Sequence, residues 1–473
     1  MLNLILIIIY YVIVVLTVVH VVMDNRQPAK TMAWALVIWF VPVVGIVFYL
    51  FFGVNTRKER LVSQRSLDEL SKRSMLGFVE QPDLRLPETH QTLIDLFISQ
   101  SFSLPFRTGQ VDIYTDGYQF FPALLADISQ ARSHIHVNMY IFEEDPLGNL
   151  VADALIQKAR QGVEVRVIYD DVGCWRVPHS FFERMREEGI EVAPFLPVRF
   201  PSFTSKVNYR NHRKLVVVDG RVGFIGGMNI ALRYVKGTGT QPWRDTMVRV
   251  SGTGVYSLQR AFLIDWYFVD RSLINDRKYY PATLAQSSPA NSLIQTVTSA
   301  PDSPLPEIMQ GYVSIIMGAK HYLYIETPYF LPTEPVLFAL KTAAGAGVDV
   351  RILVPRQNDA WFAEWAGRSY LREIQKAGVC VELYKAGFLH SKLMVCDDVI
   401  STCGSTNVDF RSFENNFEAN AFFYGADLAR RVKQLFLADE AQSVPLTRVA
   451  KRMKPSFLVR LCESVVRLLA PLM

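Results

Sequence analysis

Between about residues 110 and 440 the sequence says the same thing twice, so this part of the chain must fold as two similar units. The segment IHVNMYIF at 135–142 is followed by a helical stretch and then by GVEVRVIYD at 162–170. Later, LYIETPYF at 323–330 is followed by another helical stretch and by GVDVRILVP at 347–355. Each copy is an apolar run, an alanine-rich helical pattern with a glycine near its end, and a β-branched run. Such strand, helix, strand units imply an α/β fold with a largely buried sheet. The correspondence continues, because NHRKLVVVD at 211–219 matches LHSKLMVCD at 389–397. Each leads into a further strand-like run that ends in a small-residue turn, GGMN at 226–229 or GSTN at 404–407. The GTGTQ stretch at 237–241 is glycine-rich without the rest of a nucleotide-binding motif and reads as a flexible loop.

Both copies contain His-x-Lys, four residues and Asp: His212, Lys214 and Asp219, then His390, Lys392 and Asp397. An Asn follows ten residues after each Asp, Asn229 and Asn407. Side chains two apart share one face of an extended segment, so each His and its Lys point the same way from a strand whose apolar neighbours hold it rigidly. Each Asp is an odd number of positions from its Lys, and structural and chemical roles for it are equally open. Brought face to face, two histidines, two lysines and two asparagines suit a phosphodiester. Ammonium and amide groups stabilise the non-bridging oxygens, one imidazole attacks phosphorus, and the other moves the proton. No metal is needed for this, and HExxH and ligand-like histidine spacing are absent from the sequence. An attacking imidazole needs its far nitrogen paired. Asp245 in WRDT and Glu418 in NNFEAN stand at corresponding places after the two motifs; orienting carboxylate and surface ion-pair partner are the two readings of each.

At the N-terminus, residues 2–23 form an almost unbroken apolar run of about the 20 residues that cross a bilayer. A second run spans about Met32 to Phe52, with Trp34, Trp39 and Tyr49 placed as interfacial anchors, so the pair reads as a transmembrane hairpin. Arg57, Lys58, Arg60 and Arg65 follow it, against Arg26, Lys30 and Asp24 in the connector, which puts the bulk of the chain on the cytoplasmic side. The last segment, 446–473, mixes Arg448, Lys451, Arg452, Lys454, Arg460 and Arg467 with apolar residues at helical spacing. It reads either as a basic amphipathic helix on anionic lipid or as a helix packed on the core. A net charge of +5 is too mild to indicate a nucleic-acid partner. Five cysteines without CxxC spacing give neither a disulfide framework nor a zinc site, and fit a reducing environment.

The paired HxKxxxxD motifs with their GGxN and GSxN followers resemble those of the phospholipase D superfamily. With the passage NRQPAKTMAWALVIWFVPVVGIVFYLFFG and the terminal RLLAPLM added, nearly the whole chain resembles the bacterial cardiolipin synthases. The resemblance implies two pseudo-symmetric α/β units, mixed sheets flanked by helices, behind a two-helix hairpin in the cytoplasmic membrane. It implies no cofactor, His212 as attacker and His390 as proton shuttle. The implied reaction moves a phosphatidyl group to the glycerol hydroxyl of phosphatidylglycerol, with phosphatidylglycerol or phosphatidylethanolamine as donor. The expected partition is a hairpin (1–55), a juxtamembrane linker (56–108), a first unit (109–278), a proline-rich linker (279–306), a second unit (307–442) and the basic segment (443–473). Phe195, Phe200 and Phe203, just before the first motif, form either a lipid-facing rim or an ordinary loop with buried aromatics. Two rivals remain open: a hydrolase using the same cleft, and a lipid-binding scaffold without turnover.

Overall fold

Two sheets carry the duplicated sequence, and their strands run in the same order. A computed structural model describes residues 2–23, 28–53, 70, 87–198, 208–239, 241–281, 292–452 and 456–470. The first sheet is ordered Val111–Tyr114, Met247–Ser251, Val222–Gly226, Lys214–Val218, His134–Met139, Glu164–Asp170, Glu191–Phe195. The second repeats this as Leu293–Ser299, Asn416–Tyr424, Ile400–Gly404, Leu393–Cys396, Tyr322–Glu326, Asp349–Pro355, Cys380–Tyr384, with Phe106–Arg107 and Ser443–Pro445 added at its edges. The strand, helix, strand units give the parallel pairs, and the motif hairpins give the antiparallel ones. The Pro146–Arg160 helix shows how such a crossover is specified. Asp145 caps it by accepting the Gly148 amide at 2.8 Å, and Leu147, Val151, Leu155 and Ile156 form its buried stripe.

The strand order corrects two of the expected boundaries. Leu293–Ser299 is not linker but the second unit's counterpart of Val111–Tyr114, paired along its length with Asn416–Tyr424. The prolines on either side of it hid a seven-residue strand whose two faces are both buried. Likewise, residues 87–107 belong to the folded body. The Gln91–Ser101 helix buries Leu93, Ile94 and Phe97, with Phe97 stacking on Phe422 at 4.6 Å, and Phe106–Arg107 pairs with Leu293–Ile294. Phe195 ends a strand, is fully buried, and packs on Phe268 and Phe417, so it is no part of a lipid-facing rim; Phe200 and Phe203 lie outside the described residues.

The Leu2–Met23 helix is long and apolar enough to cross a bilayer. The second apolar run differs from expectation. It breaks at Val41 into Pro28–Phe40 and Pro42–Phe48, then finishes in a π turn, Tyr49–Gly53, because Pro42 cannot continue the preceding hydrogen-bond ladder. Gly45 is required at this break, since a Cβ there would sit 2.7 Å from the Val37 carbonyl oxygen. Trp34 and Tyr49, expected as interfacial anchors, meet edge to face at 5.5 Å and are buried with Val14, Val21 and Ile38. Asp24, Arg26, Arg57, Lys58, Arg60 and Arg65, on which the orientation argument rests, lie outside the described residues.

Candidate active site

The two units exchange short strands, and the exchange assembles the site. Arg210–Asn211 pairs in parallel with Asn416–Phe417, and Trp243–Arg244 pairs in parallel with Phe388–Leu389. Each pairing carries a histidine across to the other unit. The His212 amide donates to the Phe417 carbonyl at 2.9 Å, and the His390 amide donates to the Arg244 carbonyl at 2.7 Å. The residues following those carbonyls are Glu418 and Asp245. His212 Nδ1 lies 2.9 and 3.1 Å from the Glu418 carboxylate oxygens, and His390 Nδ1 lies 2.7 Å from Asp245 Oδ2. Each imidazole is therefore oriented by a carboxylate of the opposite repeat, and both rings line one cleft of about 1130 Å³ together with Asn229 and Asn407.

The lysines lie behind the rings. Lys214 Nζ donates to the His212 carbonyl at 2.6 Å, and Lys392 Nζ donates to the His390 carbonyl and sits 2.9 Å from His390 Nδ1. Burial pushes His212 down to about 4, opposed by Glu418, and pushes His390 down to about 3, with Lys392 adding to the fall and Asp245 opposing it. Burial also holds Lys214 well below, and Lys392 below, the ordinary lysine value. Burial acts to raise both carboxylates, yet both remain below their ordinary range. His212 and Lys214 hold Glu418 down, and Lys392 and His390 hold Asp245 down. At neutral pH both imidazoles are thus uncharged, each with Nδ1–H given to a carboxylate and Nε2 left as the basic nitrogen.

The motif aspartates do not belong to this chemistry. Asp219 and Asp397 sit in left-handed turns, at φ of 53° and 52°, at the far end of the strand from the histidine. Five residues of strand separate Asp219 from Lys214, roughly 16 Å. Asp219 accepts the backbone amides of Arg132, Ser133 and His134 at 2.7–2.9 Å, and Asp397 accepts those of Lys320, His321 and Tyr322 at 2.7–2.9 Å. Each carboxylate clamps the start of the neighbouring strand. Asp219→Ala strands three amides and places Ala in a left-handed turn, so it should destabilise the fold by about 2–4 kcal/mol. Thermal melting should show that loss, while kcat per folded molecule stays within about threefold of the parent.

The asparagines differ between the repeats. Asn229 Oδ1 accepts the Ile141 amide at 3.0 Å and its Nδ2 donates to the Tyr234 hydroxyl at 2.7 Å, whereas Asn407 Oδ1 is buried with no hydrogen-bond partner among the described residues. Several residues that build the site escaped the sequence reading. Arg213 is buried between the units, donating to the Glu418 carbonyl at 2.9 Å and the Ser299 carbonyl at 2.9 Å and pairing with Asp265. Asp170, pushed up to about 6 by burial, accepts the Asn211 amide at 2.8 Å and so fixes the residue before His212. Arg244, next to Asp245, pairs with Asp439 at 2.7 Å. The available signal was a charge in an apolar setting that the other copy lacks, Arg213 against Ser391. In the GTGTQ stretch, read as a loop, Thr238 and Gln241 bridge each other and line the cleft.

Comparison with known proteins identifies the family. A family model described as "Cardiolipin synthase, PLD-like domain" matches residues 124–263 and 312–439, and a phospholipase D-nuclease N-terminal model matches 12–53. The major cardiolipin synthase of Bacillus subtilis (strain 168) is 37% identical over 97% of this chain and 97% of its own. A cardiolipin synthase of Oceanobacillus iheyensis is 38% identical over 95% of both chains. Among solved structures, phosphatidylserine synthase from Haemophilus influenzae shares the fold, with a TM-score of 0.64 at 15% identity, covering 82% of this chain and 100% of that one. With both repeats inside the matched segments and curated relatives aligned almost end to end, the chain belongs to the phospholipase D-like cardiolipin synthase family.

Proposed function

We propose that the cleft moves a phosphatidyl group between two phospholipids through a covalent phosphohistidine on His212. In the first half, His212 Nε2 bonds to phosphorus of the donor lipid as the bond to the leaving alcohol breaks, and His390, protonated once the anionic substrate is bound, gives that alkoxide a proton. In the second half, His390 takes the proton from the terminal glycerol hydroxyl of phosphatidylglycerol, whose oxygen displaces His212 and completes cardiolipin. Lys214, Lys392, Asn229 and Asn407 supply the positive and amide groups that offset charge on the phosphoryl oxygens. The observation that carries the reading is the crossed pairing of each imidazole with the opposite repeat's carboxylate at the wall of one cleft.

The unequal surroundings support this division of labour. Glu418 acts on His212 with both oxygens, which keeps that ring the more basic, while Lys392 stands against His390 Nδ1 and keeps it poor in protons until a phosphate arrives. Either phosphatidylglycerol or phosphatidylethanolamine serves as the donor in this reading. Purified enzyme given isotope-labelled phosphatidylglycerol should convert it to cardiolipin with both labels, read by mass spectrometry, in the presence or absence of phosphatidylethanolamine. Phosphatidic acid with no cardiolipin would reassign the cleft to hydrolysis.

The family membership makes the protein membrane-associated, and we read its two N-terminal apolar runs as a hairpin with the catalytic units on the cytoplasmic side. Cys380 is exposed on the body. In intact spheroplasts it should react with a membrane-permeant maleimide and resist an impermeant one; equal labelling by both would reverse the orientation.

A further inference from the structure

The C-terminal helix Phe457–Leu469 is docked the wrong way round for a helix of a water-soluble body. Helices on such bodies turn their apolar stripe inward. Here Phe457, Leu458, Leu461, Val465 and Leu468 all face outward, at 49–78% exposure. At 100° per residue they fall within an arc of about 100° on one side. The opposite side is held by ion pairs to the Trp361–Lys376 helix, with Val466 and Ala470 packed on the core. Glu463 pairs with Arg372, and Arg467 pairs with Glu373 at 2.6 Å with its guanidinium 3.9 Å from the Tyr370 ring. Arg467 also reaches back to Ser369 at 3.4 Å and to Tyr370, so the helix runs antiparallel to its partner and ends toward that partner's start, at the mouth of the cleft. Ala470, Trp361, Phe362 and Ala363 all line the cleft, and Trp361 is 68% exposed.

We infer that this outward stripe, continued by Trp361 and Phe362, is a membrane-docking surface that seats the cleft mouth in the facing leaflet of a phospholipid bilayer. The inference rests on the reading of the cleft as a phospholipid site and adds the route by which the substrate reaches it. The occupant follows from three features. The stripe runs into the mouth of a cleft whose substrates are lipids. The Leu2–Met23 helix is long and apolar enough to hold the chain at a bilayer. The exposed Arg460 flanks the stripe at the position where an interfacial helix meets lipid phosphates. With its apolar side in the acyl region, the helix lies in the membrane plane. A head group can then enter the cleft from the side while its acyl chains stay in the bilayer.

The test uses the full chain in liposomes of phosphatidylglycerol and phosphatidylethanolamine. Cys380 and Cys462 are replaced by Ser, and an environment-sensitive fluorophore is placed on Leu461→Cys, on Val465→Cys, or on Leu437→Cys of another helix as control. Lipids brominated on the acyl chains should quench the first two sites at least threefold more than the control. In parallel, Leu461→Asp with Leu468→Asp should lower turnover of bilayer substrate about tenfold, while turnover of a short-chain monomeric phosphatidylglycerol stays within twofold. Equal quenching at all three sites would overturn the proposal. So would fluorescence changes that follow protein concentration in detergent, which would make a second copy of the chain the occupant. Quenching is read without turnover, so it stands or falls separately from the assignment of the reaction.

Discussion

His212→Ala and His390→Ala each lower cardiolipin formation by at least about four orders of magnitude, and they separate when the leaving group needs no proton. On a phosphodiester ester of p-nitrophenol, whose phenolate departs unaided, His390→Ala should still release one equivalent of phenolate in a burst. It should then stall with phosphorus on His212, because nothing deprotonates the acceptor. His212→Ala should show no burst. The adduct is detected as phosphate that survives base and is lost in acid, and peptide mass spectrometry places it. A burst in His212→Ala with an adduct on His390 would exchange the two roles. His390 packs among Trp243, Phe388 and Tyr234, so His390→Asn is measured alongside to separate loss of the proton shuttle from loss of packing.

The expectation that His212 attacks rests on surroundings as well as resemblance. Glu418 is itself braced, accepting the Asn416 amide at 3.1 Å and the Ser405 hydroxyl, and Arg213 holds the adjoining carbonyl. Asp245 is braced by the Thr246 amide at 2.7 Å, but shares its histidine with the Lys392 ammonium. Burial and the Lys392 charge together keep His390 unprotonated, and a substrate phosphate beside Lys392 would offset the second of these, so the general acid would gain its proton only in the complex. The sign is fixed: a neighbouring cation lowers an imidazole, and neutralising that cation raises it.

Much of the fold was legible because strand periodicity and the repeat are local signals. The shared face of His and Lys and the parallel crossovers follow from residues within about thirty positions of one another, and the duplication is the same local pattern met twice. Matching spacing after each motif was enough to single out Asp245 and Glu418. What it could not give is the crossing, since that depends on two-residue strands such as Arg210–Asn211 meeting Asn416–Phe417, far apart in sequence and too short to carry a pattern. Leu293–Ser299 was masked by flanking prolines, which mark chain turns without saying how little separates them. The motif aspartates misled for a different reason. A fixed spacing records geometric need, and at Asp219 and Asp397 the need is to clamp a strand start rather than to touch substrate.

The crossed carboxylates make the sharpest prediction. Glu418→Gln keeps the shape of the side chain and removes its charge, so His212 loses the acceptor that fixes its Nδ1–H and favours a tautomer with the proton on the attacking nitrogen. By comparison with buried carboxylate–imidazole pairs elsewhere, the loss in kcat should be about 10³- to 10⁴-fold. The His212 pKa should fall further below about 4, because the carboxylate that raises it is gone. Asp245→Asn should cost a similar factor with natural lipids. With the p-nitrophenyl substrate the two must diverge: Glu418→Gln abolishes the burst, although it lies in the second repeat, and Asp245→Asn preserves it, although it lies in the first. A double-mutant cycle should then find His212 coupled to Glu418 and nearly additive with Asp245. If Asp245→Asn were the variant that lost the burst, each carboxylate would be serving the histidine of its own repeat, and the exchange of strands that builds this site would not describe the working enzyme.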